Sequence, residues 1–170
     1  MGSGKSSVGR ELARALDWRF VDFDAAIAEE EGRSIPEIFR GMGEAHFRKA
    51  EERVGSRLLR EARVVLASGG GWAAEPGRLD AVPPGTETFW LRVSQEEALR
   101  RVASGSGARP LLAVTDPEEA VARLIAEREP HYARAGSVVD TDGRSVEDVT
   151  GEVLAILRRK HPAVLRTEVE

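Results

Sequence analysis

The sequence predicts an α/β fold built on a parallel sheet flanked by helices, and three observations carry that prediction. Short apolar runs bounded by turn residues alternate with runs of helical spacing, the pattern of parallel strands joined by helical crossovers. A glycine-rich loop, GSGKSS at residues 2–7, runs directly into a helix, an arrangement suited to holding phosphate. Two strand-like runs end in residues fit for ligands, Asp22 and Asp24 after one and Gly69, Gly70 and Gly71 after another. Open α/β sheets bind their ligands at the carboxyl ends of strands.

The elements follow in order. Val8, Leu12, Ala15 and Leu16 keep helical spacing, which predicts a helix from Lys5 to Leu16 with its N-terminus aimed at the ligand of the loop. RFVDFD, residues 19–24, reads as a short buried strand ending in two carboxylates. Ser34 with Glu37 forms a capping box, and Pro36 suits the first turn of the helix it opens. A longer helix is expected from Glu44 to Ala62. VVLASGGG, residues 64–71, predicts a buried strand running into three glycines, and TFWLRV, residues 88–93, another strand. Ser94 and Glu97 cap a helix holding Ala98 and Leu99. The Gly- and Ser-rich stretch 103–115 predicts a loop or lid over a site, after which Asp116 and Pro117 start a helix bearing Arg123 and Arg128. SVVDT, residues 137–141, is the last strand, and Ser145 with Asp148 opens a closing helix to about Lys160. One domain over residues 1–160 is expected, with 161–170 a frayed tail.

Apolar residues at 41% and charged residues at 32% describe a soluble globular protein, with no apolar run long enough to span a bilayer and no signal-peptide pattern. A cytoplasmic location is expected, and the absence of cysteine, which rules out disulfides and thiolate metal sites, agrees with it. A formal charge of -4 argues against a general nucleic-acid binder, although a local basic cleft could hold a small anion. The basic residues are nearly all arginine, with lysine only at Lys5, Lys49 and Lys160. The lysine of the glycine loop is therefore not drawn from a lysine-rich background.

In a loop of the form G-x-x-x-x-G-K-[ST], backbone N–H groups turn inward around phosphates, the lysine reaches the outer phosphates and the hydroxyl ligates Mg2+. Gly4, Lys5 and Ser6 match the second half of this pattern, and an ordinary helix start is the competing reading. Asp22 and Asp24 share a strand face, but past the strand's end they can take different tasks. One could reach Mg2+ through water while the other accepts a proton from a substrate hydroxyl; alternatively Asp24 caps the next helix. Gly69, Gly70 and Gly71 let a ligand approach backbone N–H groups closely, and three in a row exceed what a turn needs. Arg48, Arg109 and Arg128 say little one by one in so arginine-rich a chain and gain meaning only within a pattern. His46 and His131 have no metal-site spacing, and Trp72 and Tyr132 read as packing residues.

Taken in order, these segments resemble the shikimate kinase family along nearly the whole chain. MGSGKSSVGRELARAL is similar to its nucleotide loop and first helix, VDFDAAI to its D-x-D segment, and GRSIPEIFRGMGEAHFRKAE to its substrate-binding helical region, about residues 24–62 here. VVLASGGG resembles its glycine-rich strand end, ARPLL its lid, EREPHY its second arginine site and VVDTDGRS its adenine-side loop. The resemblance implies a three-layer P-loop fold and transfer of the γ-phosphoryl group of ATP, with Mg2+, to the 3-hydroxyl of shikimate. It implies that Gly2, Ser3, Gly4, Lys5, Ser6 and Ser7 bind the ATP phosphates, that Ser6 and Asp22 hold Mg2+, the latter through water, and that Asp24 orients or deprotonates the attacking hydroxyl. Arg48 and Arg128 would clamp the shikimate carboxylate, a bidentate task suited to guanidinium, with Gly69, Gly70 and Gly71 against the ring. Arg109 would swing in with the lid to meet charge on the transferring phosphoryl group. Adenine would lie between the region of Arg101 and the loop at Arg144. Phe39 and Phe47 match positions that wall the pocket, and Glu51 one that braces an arginine.

The pattern departs from the family at its front. The first glycine of the loop would fall two residues before Met1, and four strands are legible where the fold has a fifth, central one leading into the loop. A mistaken start or a trimmed chain is the expectation, because a sheet without its middle strand leaves ladder groups and core surface bare; another strand closing the gap is the alternative. A monomer acting on a small molecule, without nucleic acid or membrane, is expected. A gluconate-type kinase, a non-catalytic shikimate-binding remnant and a nucleoside monophosphate kinase are the rival readings.

Overall fold

A computed structural model describes residues 2–104 and 117–162. Its elements run α1 (Lys5–Ala15), β1 (Arg19–Asp22), α2 (Phe23–Glu31), α3 (Ile35–Leu58), β2 (Val64–Ala67), α4 (Gly70–Ala74), β3 (Phe89–Arg92), α5 (Gln95–Ser104), α6 (Pro117–Tyr132), β4 (Ser137–Asp140) and α7 (Val146–Lys160). The three sequence caps form as read. Ser34 N–H donates to Glu37 Oε2 at 2.8 Å, Glu97 N–H to Ser94 Oγ at 3.2 Å and Asp148 N–H to Ser145 Oγ at 3.1 Å.

Among the described residues all pairing is parallel, as the alternation of strands and helices requires, but the strands form two sheets rather than one. β1 pairs with β2 from Arg19 opposite Val64 to Asp22 opposite Ala67, and β3 with β4 from Phe89 opposite Ser137 to Arg92 opposite Asp140. Among the described residues no strand joins β2 to β3. Between them lies a cavity of ≈ 550 Å³, walled by Val65 and Leu66 of β2, Phe89 and Leu91 of β3, Leu12 of α1 and Leu16 at its C-cap, and Trp72 of α4. The gap therefore falls where the sequence led us to expect a missing middle strand, directly behind the loop at residues 2–4.

Two apolar clusters hold the halves. Val8 and Leu12 of α1, with Leu16 that caps it, form one stripe and pack with Leu91, Val139 and the α7 residues Val149, Val153 and Ile156. Phe23, Ile27, Ile38, Phe47, Val54 and Leu58 pack around Trp72, which meets Phe23 edge-on at 5.5 Å. Trp72 is thus the packing residue expected. No helix among the described residues is long and apolar enough to cross a membrane.

Local expectations change at two places. The strand at residues 19–24 is only half-buried and stops at Asp22, because Asp22 Oδ1 accepts from Asp24 N–H at 3.0 Å and so starts α2; Asp22, not Asp24, is the cap. The helices expected from Ser34 and from Glu44 both form and are numbered together as α3: Gly43 (φ 81°, ψ 169°) is non-helical and separates them, and only the end differs, at Leu58 rather than Ala62. Gly70 and Gly71 open the short helix α4 with Gly69 as its N-cap, so the triplet is not a plain turn, as its length led us to expect. The lid expectation, with Arg109 and Asp116, and the frayed tail beyond Pro162 lie outside the described residues.

Candidate active site

The site gathers at the carboxyl ends of the strands, where chain reversals leave backbone groups open. Gly4 is the N-cap of α1 with φ 80°, a left-handed conformation that other residues adopt only at a cost, and it turns the loop so that the helix N-terminus faces outward. Ser3 is buried and Lys5 and Ser6 are half-buried, while Ser7 is exposed. Gly2 is pinned from α5: Arg101 Nη1 donates to its carbonyl at 3.1 Å, while Arg101 Nη2 donates to the Thr141 carbonyl at 2.7 Å beyond β4. Arg101 and Arg144 border one groove of ≈ 570 Å³ together with Ser3 and Gly4. Arg144 is anchored there by Glu152 at 2.5 Å and by the Asp140 carbonyl at 3.0 Å.

The D-x-D carboxylates separate as soon as β1 ends. Asp22 Oδ2 accepts from Ser6 Oγ at 2.5 Å, so a hydroxyl and a carboxylate present hard oxygens to one point beside the loop. That donor set fits Mg2+, which takes one or two protein oxygens and fills its octahedron with water and phosphate. Asp24 looks into the cleft instead. It meets solvent, yet the protein crowded around it raises its pKa above the ordinary carboxylate value; the charge of Asp22 adds to this, and Lys5 and Arg48 oppose it. Among the described residues no group of three or more His, Asp or Glu side chains could hold a metal, and His46 is spent on Glu31 at 2.9 Å.

The glycine triplet explains itself by what stands against it. A Cβ on Gly69 would run into Glu51 Oε1 and come within 3.8 Å of Asp24 Oδ1. One on Gly70 would lie 2.8 Å from Tyr132 Oη and 3.0 Å from Arg128 Nη1, and one on Gly71 2.6 Å from Arg48 Cζ. The triplet is thus the floor on which Asp24, Arg48 and Arg128 converge from α2, α3 and α6. Arg48 is held by Glu51 Oε2 and Glu44 Oε1, both at 2.8 Å, and stacks near the Phe47 ring at 5.3 Å. Burial works against its charge, but the bonds to Glu51 and Glu44 outweigh it and hold its pKa above the ordinary value. Glu51 is 2% exposed, its Oε1 accepts no hydrogen bond among the described residues, and burial pushes its pKa up, with Asp24 adding and Arg48 opposing. Arg128 has no carboxylate partner among the described residues. Phe39 and Phe47 stack at 4.8 Å beneath the Arg48 side of the cleft.

Two site residues lay outside the direct sequence reading. Tyr132, read as packing, donates to the Gly70 carbonyl at 2.8 Å. Glu44 pairs with Arg48 across one helical turn, a spacing that could have flagged it.

What this arrangement offers is cations and backbone donors around one point, and phosphoryl transfer is the chemistry that runs on positioning and charge neutralisation. Fold and site together define a P-loop phosphotransferase. The family model described as shikimate kinase matches residues 1–158. The shikimate kinase of Nitrobacter winogradskyi is 42% identical over 160 residues, covering 94% of this chain and 74% of that one, and that of Mycobacterium avium is 46% identical over 145 residues, covering 85% and 81%. Among solved structures, the Acinetobacter baumannii shikimate kinase in complex with shikimate superposes with a TM-score of 0.88 at 31% identity, covering 95% of this chain and 90% of that one. The chain belongs to the shikimate kinase family.

Proposed function

We propose a division of labour by which this chain performs its family's reaction, transfer of the γ-phosphoryl group of ATP to the 3-hydroxyl of shikimate, giving shikimate 3-phosphate and ADP. The observation that carries it is the convergence of Arg48, Arg128 and Asp24 on the glycine triplet. Two guanidiniums from separate helices can each give a fork of N–H donors to a substrate carboxylate, which fixes the ring against Gly69, Gly70 and Gly71. Asp24, displaced from the capping role that Asp22 fills, is left to receive the proton of the attacking hydroxyl, and its raised pKa suits a base that must accept one.

Gly2 to Ser7 hold the phosphates of ATP with backbone N–H groups at the start of α1, and Lys5 neutralises the outer phosphates. Ser6 and Asp22 are the residues that would hold Mg2+, which when bound supplies charge neutralisation to the phosphate oxygens. Arg101 and Arg144 border the adenine side. Arg109, outside the described residues, completes the charge around the transferring group. Residues 1–160 act as one kinase domain, in the cytoplasm and as a monomer.

Calorimetric titration with shikimate tests the central assignment. The unaltered chain should bind it, and R48K and R128K, which keep charge but lose the fork, should each weaken binding roughly tenfold, about 1.4 kcal/mol. Equal binding by all three proteins would remove the carboxylate clamp.

A further inference from the structure

Arg48 and Arg128 face the same turn but are secured in different ways. Arg48 is locked to its own helix by Glu44 and Glu51. Arg128 sits one turn before the end of α6, with Pro130 two residues on. A proline inside a helix lacks the N–H for the bond to the preceding turn, so the last turn of α6 is one backbone bond short where Arg128 projects from it. A tie from that turn to a neighbouring element can make good the lost bond.

Tyr132 is placed to do so. It lies four residues after Arg128, on the same helix face, and its hydroxyl donates to the Gly70 carbonyl at 2.8 Å. Its ring packs against Trp90 at 6.0 Å, which fixes the phenol from behind. Gly70 is where a Cβ would meet Tyr132 Oη and Arg128 Nη1 alike, so phenol and guanidinium crowd one point of the turn. Burial raises the phenol's pKa, with the Arg128 charge opposing, so the hydroxyl stays a donor at physiological pH.

We propose that Tyr132 is a positioning residue, latching the end of α6 to the Gly70 carbonyl and so setting Arg128 opposite Arg48. The latch rests on the reading of Arg128 as a carboxylate ligand. It acts on substrate binding through Arg128 and leaves the nucleotide side alone.

The test is a double-mutant cycle with steady-state kinetics on the full chain. Y132F removes only the hydroxyl. We expect it to raise the KM for shikimate about tenfold, equivalent to about 1.4 kcal/mol, with kcat changed less than twofold, the KM for ATP unchanged and the melting temperature within a few degrees. In an R128A background the same change should have no further effect on the shikimate KM. An unchanged KM for Y132F, or an equal rise in both backgrounds, overturns the latch while leaving Arg128 in its role. An R128A variant with an unaltered shikimate KM overturns both.

Discussion

Replacing Gly71 by alanine is a sharp perturbation of the site because the backbone there tolerates it and the space does not. Gly71 lies outside the left-handed region, so the new methyl brings no backbone strain. It would, however, stand 2.6 Å from Arg48 Cζ, against about 3.4 Å or more for ordinary contact. The guanidinium must retreat by close to 1 Å, a displacement that can cost up to roughly hundredfold in rate when it misplaces a substrate. Because the end of a flexible side chain moves rather than the backbone, the fold should hold, with a melting temperature within a few degrees of the parent. We expect kcat/KM for shikimate to fall ten- to hundredfold, about 1.4 to 2.8 kcal/mol, with the KM for ATP little changed. The assay is steady-state ADP formation at varied shikimate, paired with a thermal melt. Unaltered kcat/KM in a folded G71A protein would refute the claim that the glycine triplet holds room for Arg48.

Three further outcomes follow from the geometry. Asp24 must be ionised to accept a proton, and its pKa is raised, so kcat/KM should fall as pH drops through a midpoint above the usual aspartate value, and D24N should be nearly inactive across the same range. E51Q keeps the shape of the brace but not its charge, so the shikimate KM should rise severalfold with little loss of stability. E51A in addition leaves the guanidinium without its buried partner and should cost about 2 kcal/mol by denaturant melt, reduced from the full buried-pair penalty because the Arg48 side chain is 26% exposed. S6A deletes the hydroxyl beside Asp22, and the Mg2+ concentration for half-maximal rate should rise at least tenfold, with shikimate binding by calorimetry unaffected.

The elements were legible wherever the local code is strong. Ser34, Ser94 and Ser145 each announce a helix: Glu37 accepts from the Ser34 N–H, and the Ser94 and Ser145 hydroxyls accept from the N–H groups of Glu97 and Asp148, local interactions that tertiary context has no cause to override. The D-x-D pair was legible as a site but not as roles. Asp22 caps α2 through one oxygen while the other accepts from the Ser6 hydroxyl, a contact between segments that spacing cannot reveal. The two helical runs of α3 were legible as separate starts at Ser34 and Glu44, and Gly43 between them takes a φ of 81° that other residues adopt only at a cost. Tyr132 escaped because its task depends on a carbonyl of a distant turn. The division of the sheet was legible as an absence: the strands that formed are the four with apolar runs, and the cavity between β2 and β3 marks the gap.

The central claim is that this chain's own residues carry phosphoryl transfer to shikimate, and the most direct measurement is ADP formation from Mg-ATP with shikimate, gluconate or AMP as the acceptor. ADP production should depend on shikimate, be lost in D24N and be absent with gluconate and AMP. ADP production no greater with shikimate than without it, from a folded protein, would contradict it.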